Sequence, residues 1–205
     1  MEEELSELRA QVQALTATVR RLTPRETGWI PPTATVGERV KLAGNVALIS
    51  RKEAPVVIGA GTNIYRNAEI LGPVIIGARC LINRDSYIRP NTTIEDDVYI
   101  GPFVRIITDG HEIGPETRRA GTNKVLPVRI GAGAWIGASS TILGGVNIGR
   151  GAIVAAGSLV NKNVADNTLV GGVPARIIRT LVDDIDPAFL ESKSGSSGTH
   201  ETVDA

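Results

Sequence analysis

The sequence predicts an all-β fold in which short parallel strands wind into a solenoid of stacked triangular coils, a parallel β-helix. Three observations carry that expectation. An aliphatic residue recurs every sixth position over most of the chain, and a small or β-branched residue stands four positions beyond nearly every aliphatic. Aromatic residues make up only 3% of the 205 residues, whereas glycines number 23. Such a composition suits layers of small and β-branched side chains better than a large aromatic core.

The period is explicit from Ile58 through Ile64, Ile70, Ile76, Ile82, Ile88, Ile94 and Ile100 to Ile106, and it resumes in phase at Ile130, Ile136, Ile142, Ile148, Val154 and Val160. The positions four residues on include Thr62, Ala68, Val74, Cys80, Ser86, Thr92, Val98, Val104, Ala134, Ser140 and Val146. Six is neither the 3.6 of a helix nor the 2 of an isolated strand. It is one short strand plus one corner, so three units close a coil of about 18 residues and successive coils stack about 4.8 Å apart. Glycine often follows the aliphatic (Gly59, Gly77, Gly101, Gly131, Gly137, Gly149), and the glycines and Asn/Asp at the corners are expected to permit the positive φ that turns need. An antiparallel sandwich of short strands gives no reason for the shared phase.

The elements follow in order. Residues 1–23 carry Leu5, Leu8, Val12, Leu15, Val19 and Leu22 at 3-4-3-4-3 spacing, which predicts an amphipathic helix of coiled-coil type, either joined to partner helices or laid along its own solenoid. Residues 24–35, with Pro24, Pro31 and Pro32, form a linker. The β-helix spans 36–176, beginning with Val36, Leu42 and Leu48 in a different phase. Residues 107–127 interrupt it: the in-phase positions hold Glu112, Arg118 and Lys124, which a dry interior does not accept, so this stretch is an excursion loop. A short C-terminal helix is expected over 177–190, and a polar, disordered tail over 191–205.

Lys plus Arg and Asp plus Glu are both 22, so the total charge does not indicate a nucleic-acid partner. No apolar run approaches the roughly 20 residues of a membrane span, and the acidic start (Glu2, Glu3, Glu4) lacks the basic region of a secretion signal. A cytoplasmic protein is expected. Cys80 is the one cysteine and stands at a small-residue repeat position, which argues for packing rather than nucleophilic chemistry.

Of two histidines, His200 lies in the tail, while His111 lies in Thr108-Asp109-Gly110-His111-Glu112 at the start of the excursion. Imidazole suits proton transfer near neutral pH. Asp109, Glu112 or a backbone carbonyl could orient it. Asn83 either makes a corner or donates to a substrate. Trp135, beside inward Ile136, must face outward. No Cys/His cluster of zinc-site type exists, and no metal is expected.

The hexapeptide run with a loop bearing His111 resembles the hexapeptide-repeat acyltransferases, most nearly the sugar O-acetyltransferase branch that includes the maltose and galactoside acetyltransferases. The residues that carry the likeness are Thr108–His111, Pro127–Gly131, Ala134–Gly137, Ala156-Gly157-Ser158-Leu159-Val160-Asn161-Lys162 and Gly172-Val173-Pro174-Ala175-Arg176-Ile177-Ile178-Arg179. The resemblance implies a left-handed β-helix, a homotrimer with active sites between subunits, and acetyl-CoA or another acyl-CoA as co-substrate. It implies His111 as general base and Asn83 as a catalytic and acceptor-binding contact. Ala138 and Ala156 would offer backbone groups to the pantetheine arm, Trp135 would line the donor site, and Asn161, Lys162, Arg176 and Arg179 would meet the phosphates and adenine.

Two departures bear on the acceptor. Where maltose-type enzymes have an acidic acceptor-binding residue, this chain has Arg89-Pro90-Asn91, and Asp85 is only a loose substitute. Their N-terminal helical domain is replaced by the heptad segment, whose Val at a and Leu at d favour two strands rather than the trimer implied by the body. The expected reaction is acetyl transfer to a hydroxyl of a sugar or related small molecule. An N-acyl or longer-chain acyltransferase and a non-catalytic solenoid scaffold are the alternatives.

Overall fold

The computed structural model describes residues 6, 7, 9–12 and 28–181. Residues 6, 7 and 9–12 are helical, and the side chain of Val12 is exposed. The remainder of the heptad segment, residues 182–190 and the tail lie outside the described residues.

The body is a solenoid. Its first coil holds β1 (Thr35–Val36), β2 (Lys41–Leu42) and β3 (Ala47–Ile49), and its second β4 (Val56–Ile58), β5 (Asn63–Ile64) and β6 (Glu69–Leu71). The third has β7 (Val74–Ile76), β8 (Leu81–Ile82) and β9 (Tyr87–Ile88), and the fourth β10 (Thr92–Ile94), β11 (Tyr99–Ile100) and β12 (Arg105–Ile107). A hairpin of β13 (Asp109–Ile113) and β14 (Ala120–Val125) intervenes. The fifth coil follows with β15 (Val128–Ile130), β16 (Trp135–Ile136) and β17 (Thr141–Leu143), then the sixth with β18 (Asn147–Ile148), β19 (Ile153–Val154) and β20 (Leu159–Val160). β21 (Thr168–Gly172) and β22 (Ala175–Thr180) end the described chain.

Three parallel faces result: β1-β4-β7-β10-β15-β18, then β2-β5-β8-β11-β16-β19-β21, then β3-β6-β9-β12-β17-β20. All fifteen in-phase aliphatics from Ile58 to Val160 are at most 1% exposed, and they stack in register, for example Ile64 on Ile82 on Ile100 on Ile136. Partners differ by 18 residues in the regular coils, as in Val56 with Val74. Thr35 instead pairs with Val57, 22 residues on, because residues 50–55 insert a small turn closed by Arg51 and Ala54. That insertion explains the phase change after Leu48. Thr92 pairs with Val128, 36 residues on, so the excursion takes one whole coil's length of chain and leaves the stack unbroken.

Three expectations are corrected. Residues 177–180 are not helical: they belong to β22, which turns back at Gly172–Ala175 and pairs antiparallel with β21. β21 presents an unpaired edge at the end of the second face, and the β-branched run Ile177-Ile178 fits a strand that satisfies it. Corner Asn and Asp residues such as Asn67, Asp85 and Asp97 hold positive φ as expected, whereas the glycines that directly follow the aliphatics do not. That conformation falls two residues later, at Gly61, Arg79, Asp85, Asp97, Phe103, Gly133, Ser139 and Gly157 among others. The earlier glycine is required by contact: a Cβ on Gly137 would lie 2.5 Å from the Ala156 nitrogen of the next coil. The excursion, expected as a loop, is an ordered antiparallel hairpin.

Candidate active site

The corners stack into three ridges. The second ridge, between the second and third faces, carries Asn83 and Asp85 in the third coil, Ala138 in the fifth and Ala156 in the sixth. Position 83 recurs as Gly101, Gly137 and Ala155 in the coils above. The Asn83 side chain therefore stands at the foot of a strip almost bare of side chains. The Ala138 carbonyl accepts the Gly157 N–H at 2.8 Å, which ties this strip coil to coil.

Asn83 makes its corner and keeps a donor. Its Oδ1 accepts the Arg84 N–H at 2.8 Å, while Nδ2 lies 3.4 Å from the Tyr99 hydroxyl. Tyr99 meets Trp135 edge-to-face, with ring centroids 6.4 Å apart. Trp135 is 51% exposed, on the outer side of the second face as its neighbour Ile136 requires. Asp85 is a corner residue with φ of 58°, and its carboxylate is engaged by Asn67 Nδ2 and Arg84, both at 3.1 Å. The Arg84 guanidinium lies 4.7 Å from the centre of the Phe103 ring.

The third ridge, between the third and first faces, releases the hairpin. His111 pairs in register with Asn123, and a bulge follows it. There Gly121 brings its carbonyl 3.0 Å from His111 Nδ1. A carbonyl only accepts, so Nδ1 holds the proton in the neutral ring and Nε2 carries the free lone pair. The two carboxylates that could have oriented the ring are committed elsewhere. Asp109 takes Arg89, and Glu112 pairs with Lys124 at 2.9 Å. The hydrogen bonds from Arg89 hold the Asp109 carboxyl below its ordinary range. Thr108 Oγ1, at the hairpin root, is buried and has no hydrogen-bond partner among the described residues.

The remaining expected donor-site residues divide between ridges. Asn161 and Lys162 are exposed on the third ridge of the last coil, whereas Arg176, the second residue of β22, pairs with Gly171 beside the second ridge and Arg179 pairs with Leu169 further along the strand. One chain does not gather these cations into one cluster. Nor does any hydrogen bond or ring contact join His111 to Asn83. The third face separates their ridges, and six residues of extended chain cover about 20 Å. Cys80 is 1% exposed and burial pushes its thiol up, as a packing residue requires. Among the described residues no group of three or more His, Cys, Asp or Glu could hold a metal, and no helix is long and apolar enough to cross a membrane.

Tyr99, Gly121 and the pairing of Arg89 with Asp109 were not identified from sequence, where Asp109 stood only as one group that could orient the imidazole. The signal for Tyr99 was available, since it stands 36 residues, two coil lengths, before Trp135. The other two depend on the hairpin register, which no repeat announces.

Comparison with known proteins agrees with this architecture. The family described as bacterial transferase hexapeptide (six repeats) matches residues 75–108 and 127–162, breaking where the hairpin stands. The galactoside O-acetyltransferase of Escherichia coli is 35% identical over 130 residues, covering 58% of this chain and 64% of that protein. The galactoside O-acetyltransferase of Lactococcus lactis is 35% identical over 105 residues, covering 47% and 51%. The chain thus spans less than two thirds of the length of these curated relatives. A crystal structure of a hexapeptide-repeat-containing acetyltransferase from Vibrio cholerae, complexed with acetyl coenzyme A, superimposes with a TM-score of 0.58 at 35% identity, covering 62% of this chain and 71% of that one. With its in-register hexapeptide coils and these relatives, the chain belongs to the hexapeptide-repeat acetyltransferase family.

Proposed function

We propose that this protein transfers the acetyl group of acetyl-CoA to a hydroxyl of a sugar or sugar-like acceptor, with His111 as general base, in a homotrimer whose sites lie between subunits. The observation that carries the reading is the division of the site. A fixed imidazole stands on one ridge, and a bare backbone strip ending at Asn83 stands on another, across the third face. Two copies packed ridge to ridge would bring them together, as a closed symmetric assembly allows.

In this arrangement Nε2 of His111 takes the proton of the acceptor hydroxyl as its oxygen attacks the thioester carbonyl. Asn83 Nδ2 or a backbone N–H of the strip stabilises the tetrahedral oxyanion. Collapse breaks the carbon–sulfur bond, and the imidazolium returns its proton to the departing thiolate. The strip from Gly101 to Ala156 gives an extended pantetheine arm close access to backbone groups. Lys162 of one copy, with Arg176 and Arg179 of the next, supplies donors for phosphate.

The test is an acceptor screen with acetyl-CoA, following release of free CoA thiol with galactosides, maltose, other neutral sugars and amino sugars. Turnover with a hydroxyl acceptor, lost by about 10²–10⁴-fold in His111→Ala, is the expected result. Turnover confined to amino sugars would replace O-transfer by N-transfer. No turnover together with no thermal stabilisation by CoA would favour a scaffold.

A further inference from the structure

The hairpin that carries His111 is gripped at its root from two sides. On one side Arg89 donates from Nε to Asp109 Oδ1 at 2.9 Å and from Nη2 to Oδ2 at 2.7 Å. Its remaining nitrogen, Nη1, donates to the Tyr87 hydroxyl at 2.9 Å, and the guanidinium lies 5.7 Å from the centre of that ring. All three guanidinium nitrogens are thus engaged, which fixes the plane of the fork. On the other side Leu126 donates its N–H to the Thr108 carbonyl at 2.8 Å and packs against Gly144 and Gly145 of the coil above.

Asp109 and His111 are two residues apart on one strand, so their side chains leave the same side of the hairpin. The Asp109 carboxyl is partly exposed, and an ion pair at such a position contributes little to overall stability. Its consequence is geometric. It joins the solenoid body, through the coil below, to the strand that aims the imidazole. Without it the hairpin would hang from the backbone at residue 108 and from Leu126.

We propose that Arg89 is a positioning residue for His111: its bidentate hold on Asp109, braced by Tyr87, sets the hairpin so that Gly121 meets Nδ1 and Nε2 faces the neighbouring subunit's strip. The inference rests on the reading of His111 as the base. Arg89 acts through Asp109, because its donors are turned to Asp109 and Tyr87.

The test has a spectroscopic and a kinetic arm, both on the full chain. Nitrogen-15 NMR of the imidazoles, with His111→Ala identifying the signal, reports which ring nitrogen is protonated when the ring is neutral. The wild type shows the Nδ1–H tautomer, and Arg89→Ala shows a mixture with Nε2–H. Acetyl-CoA turnover with a galactoside acceptor falls by about 10- to 100-fold in Arg89→Ala, while KM for acetyl-CoA is unchanged. Arg89→Lys, which keeps the charge but not the fork, recovers part of the loss. In a His111→Ala background Arg89→Ala costs nothing further. Asp109→Asn serves as the second variant should Arg89→Ala not fold. An unchanged tautomer with unchanged turnover overturns the proposal, and so does a full additional loss in the His111→Ala background. Undiminished turnover in His111→Ala alone would instead remove the base assignment, while the tautomer change would still report the anchor.

Discussion

The Gly121 carbonyl stands 3.0 Å from Nδ1 of His111, across a bulge that a glycine makes room for. A Cβ on Gly121 would lie 2.9 Å from the Glu112 carbonyl oxygen. Gly121→Ala should therefore push the two strands apart and loosen the ring. Turnover is expected to drop by about 10- to 100-fold, while CoA stabilises the variant as it does the wild type. Kinetics beside a CoA thermal-shift titration checks this, and wild-type turnover would contradict it.

Thr108 Oγ1 offers a gain in stability. A buried hydroxyl without a partner is destabilising, and the isosteric apolar side chain removes it. Thr108→Val should raise the melting temperature, corresponding to about 1 kcal/mol. A lowered melting temperature would mean that the hydroxyl has a partner after all.

The corner glycines separate into two kinds. Gly137→Ala places a Cβ 2.5 Å from Ala156 N and 2.7 Å from Val154 O, and should destabilise the protein by about 1–3 kcal/mol. Gly133 has φ of +70° and open space around it, and Asn45, Asn67 and Asn91 hold the same conformation elsewhere. Gly133→Asn should be close to neutral. Chemical denaturation of both variants distinguishes the contact requirement from the conformational one.

The Arg89–Asp109 clamp has a defined pH dependence. Asp109 ionises more readily in the folded chain than in the unfolded one, because Arg89 donates to it. Its contribution is therefore complete above the unfolded carboxyl value of about 4 and is lost as pH falls through the lower folded value. The melting-temperature difference between wild type and Asp109→Asn should be constant from neutral pH down to about 5 and vanish in stronger acid. A difference that grows on acidification would contradict the pairing.

Much of this was legible in the sequence, and the reason is physical. Ile58 to Val160 repeat every sixth residue because each must fill the same interior position of successive coils. That demand fixed the faces, the core and the outward direction of Trp135. Hairpin pairing is set locally by the bulge at Gly121, and β22 by an exposed strand edge, so neither left a periodic mark. The pair Ile177-Ile178 reads equally well on a helix or a strand, and only the open edge of β21 decides between them. His111 drew notice because imidazole is rare here, whereas the group that meets its ring depended on which of three nearby acceptors was already engaged.

In the proposed trimer His111 of one copy meets Asn83 of the next across a subunit boundary. The most direct measurement is complementation: His111→Ala and Asn83→Ala are each purified, then refolded or co-expressed together at equal amounts. Each variant alone should be nearly inactive. In randomly mixed trimers about a quarter of the sites combine an intact imidazole from one copy with an intact Asn83 from the next, so about a quarter of wild-type turnover should return. A mixture as inactive as its components would place both residues in a site made by one chain and contradict the account.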